Sequence, residues 1–152
     1  MVELAPMSAE RFERWRSTIW QVYYDELIQA GYSDEYAREN CGEHAQANMP
    51  GGTHDDGHWA LAIVHEGREI GHTWLVQLSD TEWSIYDVEV DEAERGRGFG
   101  RSGMRAIEAW VAERGGTSIG LYVFGFNETA RALYASEGYD TLRIQMRKRL
   151  TP

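Results

Sequence analysis

Three groups of residues in this sequence have types and spacings that can do chemistry. The first is the stretch Arg95-Gly96-Arg97-Gly98-Phe99-Gly100-Arg101-Ser102. It sits between an alternating apolar run, Ser84 to Val90, and a helix-like run, Ser102 to Glu113. Glycine lets the backbone approach a ligand with no Cβ in the way, and the first N–H groups of a helix point outward unpaired. With the positive end of the helix dipole they form a site for a phosphate. The second group is Asp87 and Glu89, two carboxylates on an otherwise apolar strand, where they can take a proton. The third is Asn127, Ala130 and Tyr134. Spacings of three and four put them on one helix face, with an amide at one end and a phenol at the other.

Two glycine patterns compete for the first stretch. Gly98-Phe99-Gly100-Arg101-Ser102-Gly103 matches G-x-G-x-x-G, which points to a dinucleotide such as NAD and an oxidoreductase. That turn ordinarily follows directly on a buried strand, usually the first of its domain. Here Asp91-Glu92-Ala93-Glu94-Arg95 intervenes and the site lies past mid-chain. A plain solvated turn is the bland alternative. Arg95-x-x-Gly98-x-Gly100 instead resembles the pyrophosphate loop of the GNAT superfamily of N-acetyltransferases. The run Asn127-Glu128-Thr129-Ala130-Arg131-Ala132-Leu133-Tyr134-Ala135-Ser136-Glu137-Gly138-Tyr139 is similar to the later motif of that family, N-x-x-A-x-x-L-Y-x-x-x-G-Y/F. The resemblance runs from about Glu82 to Leu150; before that only the order of elements matches.

The resemblance implies an α/β (α+β) fold: a mixed central sheet of six to seven strands with four helices, and two parallel strands splayed apart in its middle. It implies transfer of acetyl from acetyl-CoA to a primary amine in a ternary complex, without a metal. Carried over to this chain, Val88 and Val90 would offer backbone to the pantetheine. Arg95, Gly96, Arg97, Gly98, Phe99, Gly100, Arg101 and Ser102 would take the diphosphate. Asn127 would hydrogen-bond the pantetheine, Ala130 would let the thin arm pass, and Tyr134 would lie near the sulfur as general acid. Tyr24, Asp25, Glu26 and Tyr32 would line the acceptor wall. Glu89 is the first candidate for the base, with Asp87 or water as alternatives. A non-catalytic acyl-CoA-binding sensor of the same fold is the rival reading, and the resemblance also leans toward a homodimer.

Proton arithmetic limits the phenol. Its pKa of ~10 exceeds the ~8.5 of a thiol, so full transfer to a leaving thiolate is uphill by roughly 2 kcal/mol. Hydrogen-bond stabilisation of the thiolate therefore competes with complete donation. An alkylammonium of pKa ~10.4 must in turn lose a proton at pH 7, at a cost of roughly 4 to 5 kcal/mol.

The elements that must position these groups fit one domain of 152 residues, long enough to bury roughly 70% of its unfolded surface. A hydrophobic fraction of 42%, with six Trp and eight Tyr, argues for a packed core. The net charge of −10 argues against nucleic acid and anionic membrane as partners. The lone Cys41 excludes an internal disulfide and reads as a small core residue. No signal peptide and no apolar run of membrane-spanning length is present, so a soluble cytoplasmic protein is expected.

In chain order, residues 1–50 hold a short strand (Val2 to Ala5) and a helical pair. Ser8 caps a first helix ending at Gly31, with Phe12 and Trp15 as core; Ser33 caps a second that ends at Pro50. His54 and His58, with Asp55 and Asp56 between them, lack a third metal ligand at a recognisable spacing. Residues 58–90 read as an antiparallel meander of three strands. Residues 91–150 would form the acetyl-CoA-binding half. It comprises the loop and its helix, a strand from Thr117 to Phe124 parallel to the last meander strand, the Asn127 helix, and a final strand. In that final strand Leu142, Ile144 and Met146 alternate with Arg143, Gln145 and Arg147.

Overall fold

Alternating apolar residues and the turns between them build the centre of the molecule. The computed structural model describes residues 1–151. Strands β1 (Val2–Pro6), β3 (His58–His65), β4 (Arg68–Gln77), β5 (Glu82–Val90) and β6 (Ser118–Leu121) lie side by side in that order. The two-residue β2 (His54–Asp55) pairs with β3. All neighbours are antiparallel except β5 and β6. Glu66 and Gly67 reverse the chain between β3 and β4, both at positive φ, the conformation whose twist matches the flanking strands.

The first helix, α1 (Ala9–Ala30), starts at Ser8, whose hydroxyl accepts the Arg11 N–H, and stops at Gly31 in the left-handed conformation. The second helix expected from the sequence is broken in two. Cys41 ends α2 (Asp34–Asn40), and α3 (Glu43–Ala47) begins after Gly42, which is extended and has the weak helix propensity of any glycine. With α4 (Phe99–Glu113) and α5 (Glu128–Ser136) the four expected helices are present among the described residues, the second of them in two pieces.

The sheet is covered on both faces. Phe12 and Trp15 of α1 pack on Ala60, Ala62, Trp74 and Val76. Met104, Ile107 and Val111 of α4 pack on Leu61, Leu75, Trp83 and Ile85. Cys41 is buried beside Leu27 and Ala37, as a core residue should be.

The C-terminal end departs from the sequence expectation. The strand read from Thr117 to Phe124 is only Ser118–Leu121, and the final strand is not formed. Leu142, Ile144 and Met146 are 93%, 74% and 88% exposed. A strand needs a neighbouring backbone. Here the segment's polar side chains go instead to the turn between α1 and α2. The Tyr32 hydroxyl donates to Gln145 at 3.0 Å, while Arg147 donates to the Gly31 carbonyl and lies over the Tyr32 ring. Among the described residues no helix is long and apolar enough to cross a membrane.

Candidate active site

The sheet opens where the sequence placed its chemistry. β5 and β6 pair only from Glu82 to Ile85 against Ser118 to Leu121. From Tyr86 to Val90, β5 is bonded to β4 alone, so its other edge, that of Val88 and Val90, is free backbone. After Leu121 the chain turns away, and Phe124 packs on Tyr23 of α1 at 6.2 Å between rings.

A bulge decides where the carboxylates go. Trp74 pairs with Asp87 and Leu75 with Ile85, so Tyr86 is one residue too many. An extra residue in a period-two strand inverts every side chain after it. Trp83 and Ile85 therefore face α4, as do Val88 and Val90 after the bulge, against the Phe99 cluster. Asp87 turns toward α1, where its Oδ2 accepts the Trp15 indole N–H at 3.0 Å and lies 3.1 Å from His72 Nε2. Trp15, expected as plain core, is thus also a donor to the site.

His72 stands between the two carboxylates, 4.0 Å from Glu89. Its Nδ1 lies 3.4 Å from the buried Arg11 Nη1. A guanidinium can only donate, so this contact assigns the His72 proton to Nε2, aimed at Asp87. Arg11 is held by Glu69 (3.0 Å) and by both oxygens of Asp91 (3.0 and 2.6 Å). Hydrogen bonds from Arg11 hold the Asp91 carboxyl below its usual value. Glu89 itself is bound by Arg95 at 3.1 Å and is half exposed.

The glycine loop leaves a row of backbone N–H groups without protein acceptors among the described residues. Gly96 and Gly98 adopt φ of 77° and 81°, and a Cβ on either would meet nothing within 4 Å. Among the described residues, the backbone N–H groups from Gly96 through Arg101 donate to no protein acceptor; the first helical bond is Ser102 N–H to the Gly98 carbonyl. Unpaired amides at the first turn of a helix are a favourable setting for an anion. The arginines are engaged elsewhere: Arg95 with Glu89, Arg97 with Glu94 at 2.6 Å, and Arg101 with Glu137.

On α5, Asn127 caps the helix, its side-chain oxygen accepting the Ala130 N–H at 3.3 Å. Its amide nitrogen donates to no protein group among the described residues. Tyr134 is half-buried beside Leu133 and Tyr139, and its hydroxyl has no protein partner among the described residues. Burial, and then the charge of Asp87, push the Tyr134 phenol above its usual value. Of the four expected acceptor-wall residues, Tyr24 and Tyr32 pack against the cluster of Leu27, Ala37 and Cys41. Burial, and then Asp87 and Glu89, raise the Glu26 carboxyl, so Glu26 shares their field. Tyr24 is tied to Asp34, Asp25 accepts from Gln21, and Tyr32 holds the C-terminal segment.

The sequence pattern that describes the acetyltransferase (GNAT) family matches residues 9–139. This chain belongs to the GNAT family. It is 32% identical over 152 residues to the uncharacterized N-acetyltransferase YdgE of Bacillus subtilis, with 97% of each chain covered. The crystal structure of YycN from Bacillus subtilis superposes with a TM-score of 0.90 at 25% identity, over 100% of both chains. The PaiA N-acetyltransferase of Thermoplasma acidophilum in complex with coenzyme A shares the fold, with a TM-score of 0.61 at 16% identity over 95% and 93% of the two chains. Together these make the protein an acetyltransferase and set the dinucleotide reading aside.

In this GNAT chain, sequence reasoning missed Arg11, Trp15 and His72 as parts of the site. The one available signal was a run of polar residues, His72-Thr73, in the middle of an apolar strand. The histidine loop has structural partners. His54 stacks on Trp59, His58 Nδ1 accepts the Trp74 indole N–H, and Asp55 accepts the Gly51 N–H. A separate cavity of 340 Å³, lined by Leu4, Trp59, Trp110 and Arg114 among others, lies against β1 and β2, away from the open edge of β5.

Proposed function

We propose that this chain transfers the acetyl group of acetyl-CoA to a primary amine by direct attack in a ternary complex. The observation that carries the reading is the unpaired edge of β5, at Val88 and Val90, beside the glycine turn. The free amides of Gly96 to Arg101 follow it in the chain, and Asp87 on the same strand lies near enough to act on Glu26 and Tyr134. As a cradle, the amides fit a diphosphate because they are unpaired and the space beside Gly96 and Gly98 is open. An extended pantetheine arm fits an unpaired strand edge, with Asn127 and Ala130 bordering it. The coenzyme A complex of a protein with the same fold supports this placement.

The ammonium first gives one proton to Asp87 or to water; the neutral nitrogen then bonds to the acetyl carbon and the carbon–sulfur bond breaks. The nitrogen sheds its second proton to solvent, from which the departing thiolate takes one up. Three carboxylates, Glu26, Asp87 and Glu89, draw a cationic amine into the site. Burial first, and then the charges of Asp87 and Glu89, raise Glu26, and a bound ammonium would offset both. Sequence reasoning put Glu89 first as base; its ion pair with Arg95 moves the weight to Asp87, directly or through water. Trp15 and His72 orient that carboxylate. Because burial and Asp87 raise the Tyr134 phenol further above a thiol, Tyr134 acts by donating a hydrogen bond to the forming thiolate rather than by releasing its proton. We take residues 1–152 as a single catalytic domain working in the cytoplasm.

The test is a panel of primary amines, from monoamines to polyamines and aminoglycosides, incubated with acetyl-CoA while free thiol is followed. Amine-dependent thiol release is expected, strongest for multiply cationic acceptors. Saturable acetyl-CoA binding with no release across the panel would replace the enzyme with a binding module.

A further inference from the structure

The outer edge of β3 has two partners in turn. β1 pairs with it as far as Pro6 opposite Leu61, and β2 takes over with His54 opposite Trp59. The change falls at Ala60, whose N–H donates to the Thr53 carbonyl while its own carbonyl accepts the Met7 N–H. The end of α4 brings Trp110 and Arg114 to this junction, where the Trp110 and Trp59 rings meet edge-on at 5.6 Å. The cavity of 340 Å³ lies here, at the low end of the size range for small-ligand sites. No residue placed in the acetyl-transfer site lines it.

The chemistry of the walls points to the ligand. They are apolar and flat, with Leu4 and Leu61 beside Trp59 and Trp110, and His54 lies parallel to Trp59 at 4.4 Å between rings. The chain has 25 Asp and Glu, yet among the described residues none lines this cavity. Its cation is Arg114, which lies 3.6 Å from the centre of the Trp110 ring. Arg114 Nη1 donates to the Trp110 carbonyl at 3.1 Å, which covers the negative end of α4 that would otherwise repel an anion. Its remaining donors have no protein acceptor among the described residues, and neither has the Thr53 hydroxyl. A guanidinium fork matches a carboxylate, and indole faces match a flat ring. The acidic surface repels small free anions, so the ring is needed to hold the charge there. We propose that this cavity binds a small aromatic carboxylate, its ring against Trp59 and Trp110 and its carboxylate on Arg114. The proposal uses no part of the acetyl-transfer reading and stands whichever acceptor the enzyme uses.

The whole chain would be titrated with benzoate, indole-3-carboxylate and 2-naphthoate by calorimetry. At least one should bind saturably and shift the indole N–H signals of Trp59 and Trp110 in nitrogen-15 spectra, assigned with Trp59→Phe and Trp110→Phe. The matching carboxamides keep the shape without the charge and should bind at least about 10-fold more weakly, as expected for losing one charge-assisted pair. Arg114→Gln, a change to an exposed side chain, should weaken the carboxylate by the same factor. Saturating acetyl-CoA should leave the binding unchanged. The comparison of acid with amide needs no variant. Lack of saturable binding by all three acids, equal affinity for the amides, full affinity in Arg114→Gln, or displacement by acetyl-CoA would each overturn the proposal.

Discussion

At Tyr134 the ring and the hydroxyl serve different ends. The ring packs with Leu133 and Tyr139, while the hydroxyl has no protein partner among the described residues. Tyr134→Phe should therefore leave acetyl-CoA affinity within a few-fold and lower kcat by about 10- to 1,000-fold, the range for losing one transition-state hydrogen bond. Steady-state kinetics with an amine from the panel would show this, and full activity in the variant would remove the phenol from the mechanism. The same assay separates the carboxylates. Asp87→Asn keeps the shape but not the charge, and should lower kcat/KM by at least about 10-fold with a flattened alkaline rise. Glu89→Gln should keep that rise, because Arg95 already neutralises Glu89. The reverse ranking would return the base to Glu89.

At the scale of elements, the proposed cofactor half of the site rests on the backbone at the start of α4. Gly98 is the N-cap of α4, at φ 81°. A side chain there costs about 1–2 kcal/mol in left-handed strain, and an anionic one also occupies the cradle. Gly98→Glu should abolish the rise in melting temperature that acetyl-CoA produces in the wild type, measured by calorimetry. Arg97→Ala should only weaken it, since Arg97 is paired with Glu94 and backbone amides form most of the site. NAD should produce no rise in either protein.

For the whole molecule, Arg11 is the tie between layers. It joins the first turn of α1 to Glu69 at the start of β4 and to Asp91 just after β5, beside His72. Removing a buried cation leaves its acids uncompensated. Arg11→Ala should cost about 3 kcal/mol, the low end of the range for buried pairs because Asp91 and Glu69 keep some solvent contact. The pH dependence has a definite sign. Hydrogen bonds from Arg11 hold Asp91 below its unfolded value of ~3.9, so its stabilisation is complete above that pH and is lost as pH falls through the folded value. Thermal melts of the wild type should decline below about pH 4, and Arg11→Ala should start lower and decline less steeply.

Local patterns in the sequence determined a good deal by themselves. Ser8, Gly31, Ser33 and Asn127 mark helix ends because capping is a short-range hydrogen bond, and the alternation of β3, β4 and β5 marks strands because one face of each is apolar. The glycine turn before α4 was legible because glycines that adopt positive φ and a helix start are adjacent in sequence. Tertiary structure alone decided the rest. The bulge at Tyr86 sends Asp87 toward Trp15 and His72, and a one-residue irregularity leaves no trace in a period-two pattern. The convergence of Arg11, His72 and Asp91 comes from residues far apart in the chain. Whether Leu142 to Met146 becomes a strand depends on a neighbouring edge, because a strand, unlike a helix, cannot satisfy its own backbone.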